Sequence, residues 1–174
     1  SSNDYAGISD TTTLSFTTAD ETAPTLSSST PADNATAVAT TSNIVLTFSE
    51  AVDVESGNIT IKKTSDNSTV ETIDVTDTNK VSGTGTTQIT INPGSDLEEQ
   101  TEYYVQIDAT AFDDGSGNSY AGISDKTTLS FTTADETAPT LSSSNPADNA
   151  TAVATTGSIV LTFSEAVDVE TGNI

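Results

Sequence analysis

The chain has 174 residues, with 26 acidic residues against 4 lysines and a formal net charge of −22. It contains no Cys, Met, Trp, His or Arg. Without Cys and His it lacks disulfides, thiol nucleophiles, imidazole bases and the usual ligands of transition metals. Such an acidic surface would repel nucleic acid and anionic lipid. We therefore expect neither a nucleic-acid partner nor insertion into a membrane. Oxygen ligands remain in quantity, and these suit hard cations such as calcium.

The apolar residues make up 33% of the chain and alternate with Thr and Ser in short runs. Thr is a strand former, so this alternation predicts an all-β protein with a thin core rather than a disordered chain. No run approaches the roughly 20 apolar residues of a membrane span. No signal-peptide pattern opens the sequence, so we expect any export signal to lie outside this fragment.

An internal repeat dominates the sequence. Residues 1–59 recur as 116–174, an offset of 115 residues with seven differences in 59 positions. The segment Ala19–Pro24, here called the linker, recurs as Ala134–Pro139 and ends in a proline that cannot donate to a β-ladder. We therefore predict that residues 1–23 end one repeat, residues 24–138 form a complete repeat, and residues 139–174 begin the next. Such near-identity is typical of a tandem array.

Seven short strands with turn signals between them are predicted in the complete repeat, which favours tandem Ig-like or fibronectin-like antiparallel β-sandwiches. Tyr103, after the turn that precedes the sixth strand, stands where a tyrosine corner would lie. The strands, lettered A to G, are Thr25–Ser29, Asn43–Ser49, Asn58–Lys63, Val70–Val75, Thr87–Asn92, Glu102–Asp108 and Thr127–Thr133.

Four motifs, taken in their order along the chain, resemble bacterial Ig-like repeats of the kind found in S-layer proteins and giant repetitive surface adhesins. The resemblance implies an extracellular, non-catalytic spacer at the cell surface, whose partners are the neighbouring repeats of its own chain. Several such adhesin repeats bind calcium at their junctions, but not all do. The motifs are Pro31–Val38, Ile44–Asp53, Gly57–Ile61 and Phe112–Ile123.

Acidic residues concentrate in the linker, in the B–C loop (50–55) and in the F–G loop that starts at Asp108. In a seven-strand sandwich these three segments meet at one pole, where their mutual repulsion would be relieved by a divalent cation. We therefore expect Ca²⁺ between repeats, with solvated loop acids as the simpler alternative. The candidate ligands are Asp20, Glu21, Glu50, Asp53, Glu55, Asp108, Asp113, Asp114 and Asn118, and in the next repeat Asp135, Glu136, Glu165 and Asp168.

Three functions are weighed from these residues. The favoured one is a calcium-stiffened extender repeat of a large bacterial adhesin, because near-identical units suit a protein that works by length. The runner-up is a repeat of a self-assembling filament or S-layer, in which identical chains would be partners. A carbohydrate-binding module is third, since only Tyr5, Tyr103, Tyr104 and Tyr120 are polar aromatics and the exposed ones would have to be Tyr104 and Tyr120. No catalytic constellation is present, and an enzyme is not expected.

Overall fold

Two stacked β-sheets form the larger part of the computed structural model, which describes residues 3–4, 6–169 and 171. The chain divides into two compact units, residues 1–134 and 135–174. The predicted bounds of the complete repeat, residues 24–138, stay a prediction. The strands of the first unit are β1 Leu26–Thr30, β2 Ala35–Val38, β3 Ile44–Val54, β4 Asn58–Lys63, β5 Thr69–Asp74, β6 Val81–Ser82, β7 Thr86–Ile91, β8 Glu102–Ile107, β9 Phe112–Asp114 and β10 Ser130–Thr133.

One sheet has the order β1-β3-β7-β6, with β9 also pairing with β3, and the other has the order β2-β10-β8-β4-β5. The strand pairs are antiparallel except for β2 and β10, which run parallel. In a strand successive side chains point to opposite faces, so alternating residues line the interior. This all-β sandwich confirms the predicted fold class.

The core lies between the two sheets, and on strands such as β3 and β4 it is built from alternating apolar residues. On β3, Ile44, Leu46 and Phe48 are buried, while the two residues between them are half-buried. On β4, Ile59 and Ile61 are fully buried in the same way. Strands of this kind fold into two facing sheets because one face of each is apolar enough to be buried.

The strand β3 runs five residues further than predicted, to Val54. The segment 50–54, expected in the B–C loop, is therefore strand. Residues 52–54 of this segment pair with β9, in the register Val52↔Asp114 and Val54↔Phe112. The segment that forms β9 was also expected to be loop. The sequence does indicate this longer strand, because Val52 and Val54 continue the alternation of apolar residues that includes Phe48. Glu50 interrupts the apolar pattern, so the continuation is easily missed.

Two further strands, β2 and β6, were not predicted. The segment Ala35–Val38 pairs with the closing strand β10, and Val81–Ser82 pairs with β7. Each is at most four residues long, and so short a segment has too little alternation to be recognised from sequence. The complete repeat thus has ten strands, seven of which correspond to the predicted ones.

The expected tyrosine corner is present. Tyr103 is fully buried, and its hydroxyl accepts a hydrogen bond from the Glu98 N–H at 2.9 Å. Tyr104 and Tyr120, however, were expected to be exposed, and the structure buries them to 3% and 6% exposure. Tyr120 packs edge-on against Phe48, with ring centroids 5.1 Å apart. Tyr5 lies outside the described residues.

The second unit contains the antiparallel pair β11 Leu141–Asn145 and β12 Val160–Phe163. Its pairing, Leu141↔Phe163 through Asn145↔Val160, repeats that of β1 and β3 at the offset of 115 residues. The repeat in the sequence is therefore a repeat in the structure. Among the described residues, no helix is long and apolar enough to cross a bilayer.

Candidate metal site

Three carboxylates from three separate segments meet at one end of the first unit. Asp20 comes from the linker, Glu50 from the C-terminal half of β3, and Asp114 from the end of β9. One carboxylate oxygen of each lies within 4.8 Å of one oxygen of each of the others. We call these three residues the acidic triad. Since Glu50 shares the strand face of Phe48 and Val52, it points inward and is half-buried.

Asp114 is the buried member of the triad, with 5% of its surface exposed. Its Oδ1 accepts hydrogen bonds from the N–H groups of Ser116 and Asn118, both at 2.8 Å. The Asn118 side-chain amide donates to Asp114 Oδ2 at 2.7 Å and to the Asp20 carbonyl at 3.1 Å. The pKa of Asp114 is held below its usual value, mainly by the hydrogen bonds that it accepts from Asn118. The carboxylate is therefore ionised at neutral pH, and Asn118 joins the linker to the F–G segment.

The triad brings negative charges together without a compensating cation among the described contacts. The ion pairs among the described residues are Lys63–Glu98 and Lys80–Glu71, and neither includes a triad member. Like charges this close repel one another. Carboxylate oxygens from three segments are the ligand type that Ca²⁺ takes, usually six to eight at roughly 2.3–2.6 Å with carbonyls and waters completing the shell. The donor set therefore fits a hard divalent cation.

Asp53 and Asp113 lie close to the triad in sequence but on the other face of the sheet. They are direct partners in the β3–β9 ladder, next to the Val52↔Asp114 pair that faces inward. Because neighbouring residues point to opposite faces, both carboxylates point away from Asp114. Asp53 Oδ1 accepts a hydrogen bond from Thr84 Oγ1 at 3.3 Å.

The other predicted ligands of the first unit lie apart from the triad's three carboxylates. Asp108 Oδ2 accepts a hydrogen bond from the Asn58 N–H at 2.8 Å, which fixes the start of β4. Glu55 is exposed just past the end of β3, where its N–H donates to the Ala111 carbonyl. Glu21 is exposed in the linker beside Asp20.

The second unit contains the counterparts of two triad members, Asp135 and Glu165. Asp135 Oδ1 accepts a hydrogen bond from the Thr137 N–H at 3.1 Å, as Asp20 Oδ1 does from the Thr22 N–H at 3.0 Å. Glu165 is half-buried, like Glu50. Glu136 and Asp168 are exposed.

One contributor to the site was not among the predicted residues. Ser116 donates its backbone N–H to Asp114 and so helps to turn that carboxylate toward the triad. The signal was the sequence Asp114-Gly-Ser, because Asp side chains commonly accept the N–H two residues further on in an Asx turn.

Taken together, the fold and the site define a structural β-sandwich domain with an acidic pole. A family model described as bacterial Ig-like domain matches residues 20–133 and, a second time, residues 135–174. These matches cover nearly the whole chain, which belongs to the bacterial Ig-like domain family. This confirms the resemblance, and the family is a structural, non-catalytic fold type.

Among solved structures, the crystal structure of the S-layer protein rSbsC(31-844) is similar to this chain at 16% sequence identity and a TM-score of 0.43. The similarity covers 68% of this chain and 15% of that one, so the chain spans a small part of that protein's length. No curated protein matches the chain.

Proposed function

We propose that this chain is a stretch of extender repeats of a large extracellular bacterial adhesin, stiffened by calcium at the acidic triad. The repeats hold a distal binding region away from the cell. The observation that carries the calcium proposal is that the three carboxylates come from the linker, β3 and β9 and yet share one small volume. A cation bound there would fix the linker onto the sandwich that follows it.

Calcium suits this arrangement better than magnesium. The triad mixes an exposed, a half-buried and a buried carboxylate. Calcium accepts irregular shells that combine carboxylates, carbonyls and waters, whereas magnesium demands near-octahedral geometry and gives up its waters reluctantly. The buried Asp114 would supply a preorganised ligand, and Asp20 would bring the linker.

The extender role draws support from the burial of the polar aromatics. Sugar-binding modules stack sugars on exposed aromatic rings, but the described tyrosines, Tyr103, Tyr104 and Tyr120, are all buried. A long run of near-identical sandwiches instead supplies length. Its negative charge keeps neighbouring arrays apart. An extracellular location at the cell surface fits both features and belongs to the same proposal.

The calcium proposal predicts a specific gain in stability. A ligand that binds only the native state adds RT ln(1 + [L]/Kd), about 2.7 kcal/mol at a hundredfold excess over Kd. We expect the midpoint of unfolding to rise in millimolar CaCl₂ relative to chelator, with NaCl used to match ionic strength. Removing the charge of one ligand by Asp20→Asn or Glu50→Gln should abolish most of this rise. Calorimetry with each variant measures it.

The matched control is Asp53→Asn, which removes one charge from the opposite face of the same strand. It should leave the calcium-dependent rise unchanged. An equal rise in all variants would mean that calcium only screens the net charge, and no rise in the parent chain would remove the stiffening role. Negative-stain images of the same sample test the adhesin role, because ordered lateral or end-to-end assembly would favour the filament or S-layer alternative.

A further inference from the structure

The complete repeat is entered through the linker at Pro24 and left after Ala134, and the chain continues on both sides of it. Its first two strands, β1 and β2, lie in different sheets. The strand β1 pairs with β3, whereas β2 pairs with β10, the last strand of the repeat. Among the described strands, β2 and β10 are therefore the pair that joins the entering part of the repeat directly to the leaving part. We call β2 and β10 the terminal pair.

The terminal pair is parallel. Its N-terminal ends meet where the Asn34 N–H donates to the Ser130 carbonyl at 2.8 Å. Its C-terminal ends meet where the Ala134 N–H donates to the Val38 carbonyl at 2.7 Å. The chain therefore enters β2 at one end of this ladder and leaves β10 at the other end.

This geometry decides how tension along the chain acts on the repeat. The two strands are drawn past each other along their length, so the evenly spaced hydrogen bonds of a parallel ladder are loaded together. Two strands pulled apart from the same end would instead lose their bonds one at a time. Release of β1 from β3 frees only the chain as far as residue 34, so the sandwich stays closed until β2 leaves β10.

A side chain reinforces the N-terminal end of the terminal pair. Asp33 Oδ1 accepts hydrogen bonds from the N–H and the Oγ of Ser130, at 2.9 and 3.1 Å. With the bond from Asn34, three hydrogen bonds join Ser130 to the two residues that precede β2. Ser130 is buried, with 5% of its surface exposed, so water does not readily replace these bonds.

The residue through which the chain leaves is also held on two sides. The Ala134 N–H is bonded to Val38 of β2, and the Ala134 carbonyl accepts the Gln100 N–H at 3.2 Å. Next to it, Thr133 Oγ1 donates to the Glu98 carbonyl at 2.6 Å. The point at which tension leaves the repeat is therefore tied both to β2 and to the turn before β8.

We propose that the terminal pair is the force-bearing element of the repeat, with Asp33 as the side chain that locks it. The inference rests on the proposed extender role, because an array held at one end and bound at the other transmits tension through every repeat. Forced unfolding is governed by the unfolding rate, so the terminal pair sets the lifetime of a repeat under tension. Contacts elsewhere, such as those of β5, are still intact when the terminal pair breaks and do not change that lifetime.

Single-molecule force measurements test the proposal in the full chain, because handles can be attached at introduced cysteines in a protein that has none of its own. Ala23→Cys with Ala138→Cys pulls the repeat along the chain, at equivalent positions of the two linker copies. Ala32→Cys with Thr128→Cys pulls at two residues that line one groove beside the N-terminal end of the terminal pair. We expect a higher rupture force in the first geometry than in the second. Equal forces would overturn the force-bearing role.

The role of Asp33 is tested at constant force with the handles along the chain. Asp33→Ala should shorten the lifetime of the folded repeat about fivefold, which corresponds to about 1 kcal/mol of lost hydrogen bonding. Asp33→Asn keeps an oxygen acceptor for Ser130 and should restore most of the lifetime. The matched control is Asp74→Ala at the end of β5, which should leave the lifetime unchanged. Asp74 Oδ1 likewise accepts from the N–H and the Oγ1 of one residue, Thr76, at 2.9 and 2.7 Å.

Urea denaturation of the same variants separates a general loss of stability from a loss under tension. We expect both alanine variants to lower the free energy of unfolding, and only Asp33→Ala to shorten the lifetime under force. Equal shortening in the two would overturn the locking role of Asp33. The force measurements are made in chelator, so their outcome does not depend on whether calcium binds the acidic triad.

Discussion

Tyr103 shows how a single hydroxyl can connect two parts of the sandwich. Its ring is fully buried on β8 and lies 6.0 Å, centroid to centroid, from the ring of Phe131 on β10. Its hydroxyl accepts the Glu98 N–H from the turn that precedes β8. The residue therefore ties the turn to the core, and a structural rather than a binding role follows.

We expect Tyr103→Phe to lower the free energy of unfolding by about 1–3 kcal/mol, because the Glu98 N–H loses its acceptor in a partly buried place. Urea denaturation measures the change. Tyr104→Phe is the control, since the Tyr104 hydroxyl donates over a longer 3.3 Å to the exposed Asn67 side chain. Equal losses in the two variants would contradict the special role of Tyr103.

At the scale of elements, the segment between β8 and β10 positions the acidic triad. It first forms β9, which places Asp114, and then returns to β8 through the pairing of Ile107 with Ile123. Gly122 makes this return possible. Its φ is +74°, and a Cβ there would lie 2.4 Å from the Ile107 carbonyl oxygen. Only glycine fits both the backbone conformation and the space.

Gly122→Ala should therefore destabilise the complete repeat by about 2–4 kcal/mol, through backbone strain and the clash with β8. Gly7→Ala is the matched control, because Gly7 is its counterpart at the offset of 115 residues. Gly7 has a similar φ of +78°, and nothing lies within 4 Å of its added Cβ. Because the positive φ itself strains an alanine, we expect that control to cost only about 1 kcal/mol in the same denaturation experiment, less than Gly122→Ala. Similar losses would mean that the clash with β8 contributes little.

At the scale of the whole molecule, the same five residues occur in two environments. Residues 44–48 and 159–163 both read Ile-Val-Leu-Thr-Phe. In the first copy Ile44 and Leu46 are 1% and 0% exposed, whereas in the second Ile159 and Leu161 are 71% and 37% exposed. The first copy lies inside a five-stranded sheet, and the second belongs to a two-stranded one. Two strands alone are marginally stable in water.

Hydrogen exchange should therefore separate the two copies. We expect the amides of 44–48 to exchange only at the rate set by unfolding of the repeat, and those of 159–163 to exchange far faster through local opening. Mass spectrometry can distinguish the two peptides, because Ser42-Asn43 precedes the first and Gly157-Ser158 the second. Equal protection of both peptides would contradict the structure of the second unit.

Much of the fold follows from the sequence by itself. Alternation of apolar residues with Thr predicts the all-β class and the position of seven strands, and the offset of 115 residues predicts the repeat. These features are local or periodic, so they can be read without knowing which strands are neighbours. The short strands β2, β6 and β9 cannot be predicted in this way, since each exists only through the strand that it pairs with.

The candidate site, too, could be predicted from the sequence only in part. The sequence identifies three acidic segments and the pole at which they should meet, because strand alternation fixes which loops share an end. Only the tertiary structure decides that Asp20, Glu50 and Asp114 form the triad while Asp53 and Asp113 face away. That choice depends on β3 continuing past Ser49 and pairing with β9, because a strand directs neighbouring side chains to opposite faces and a loop does not.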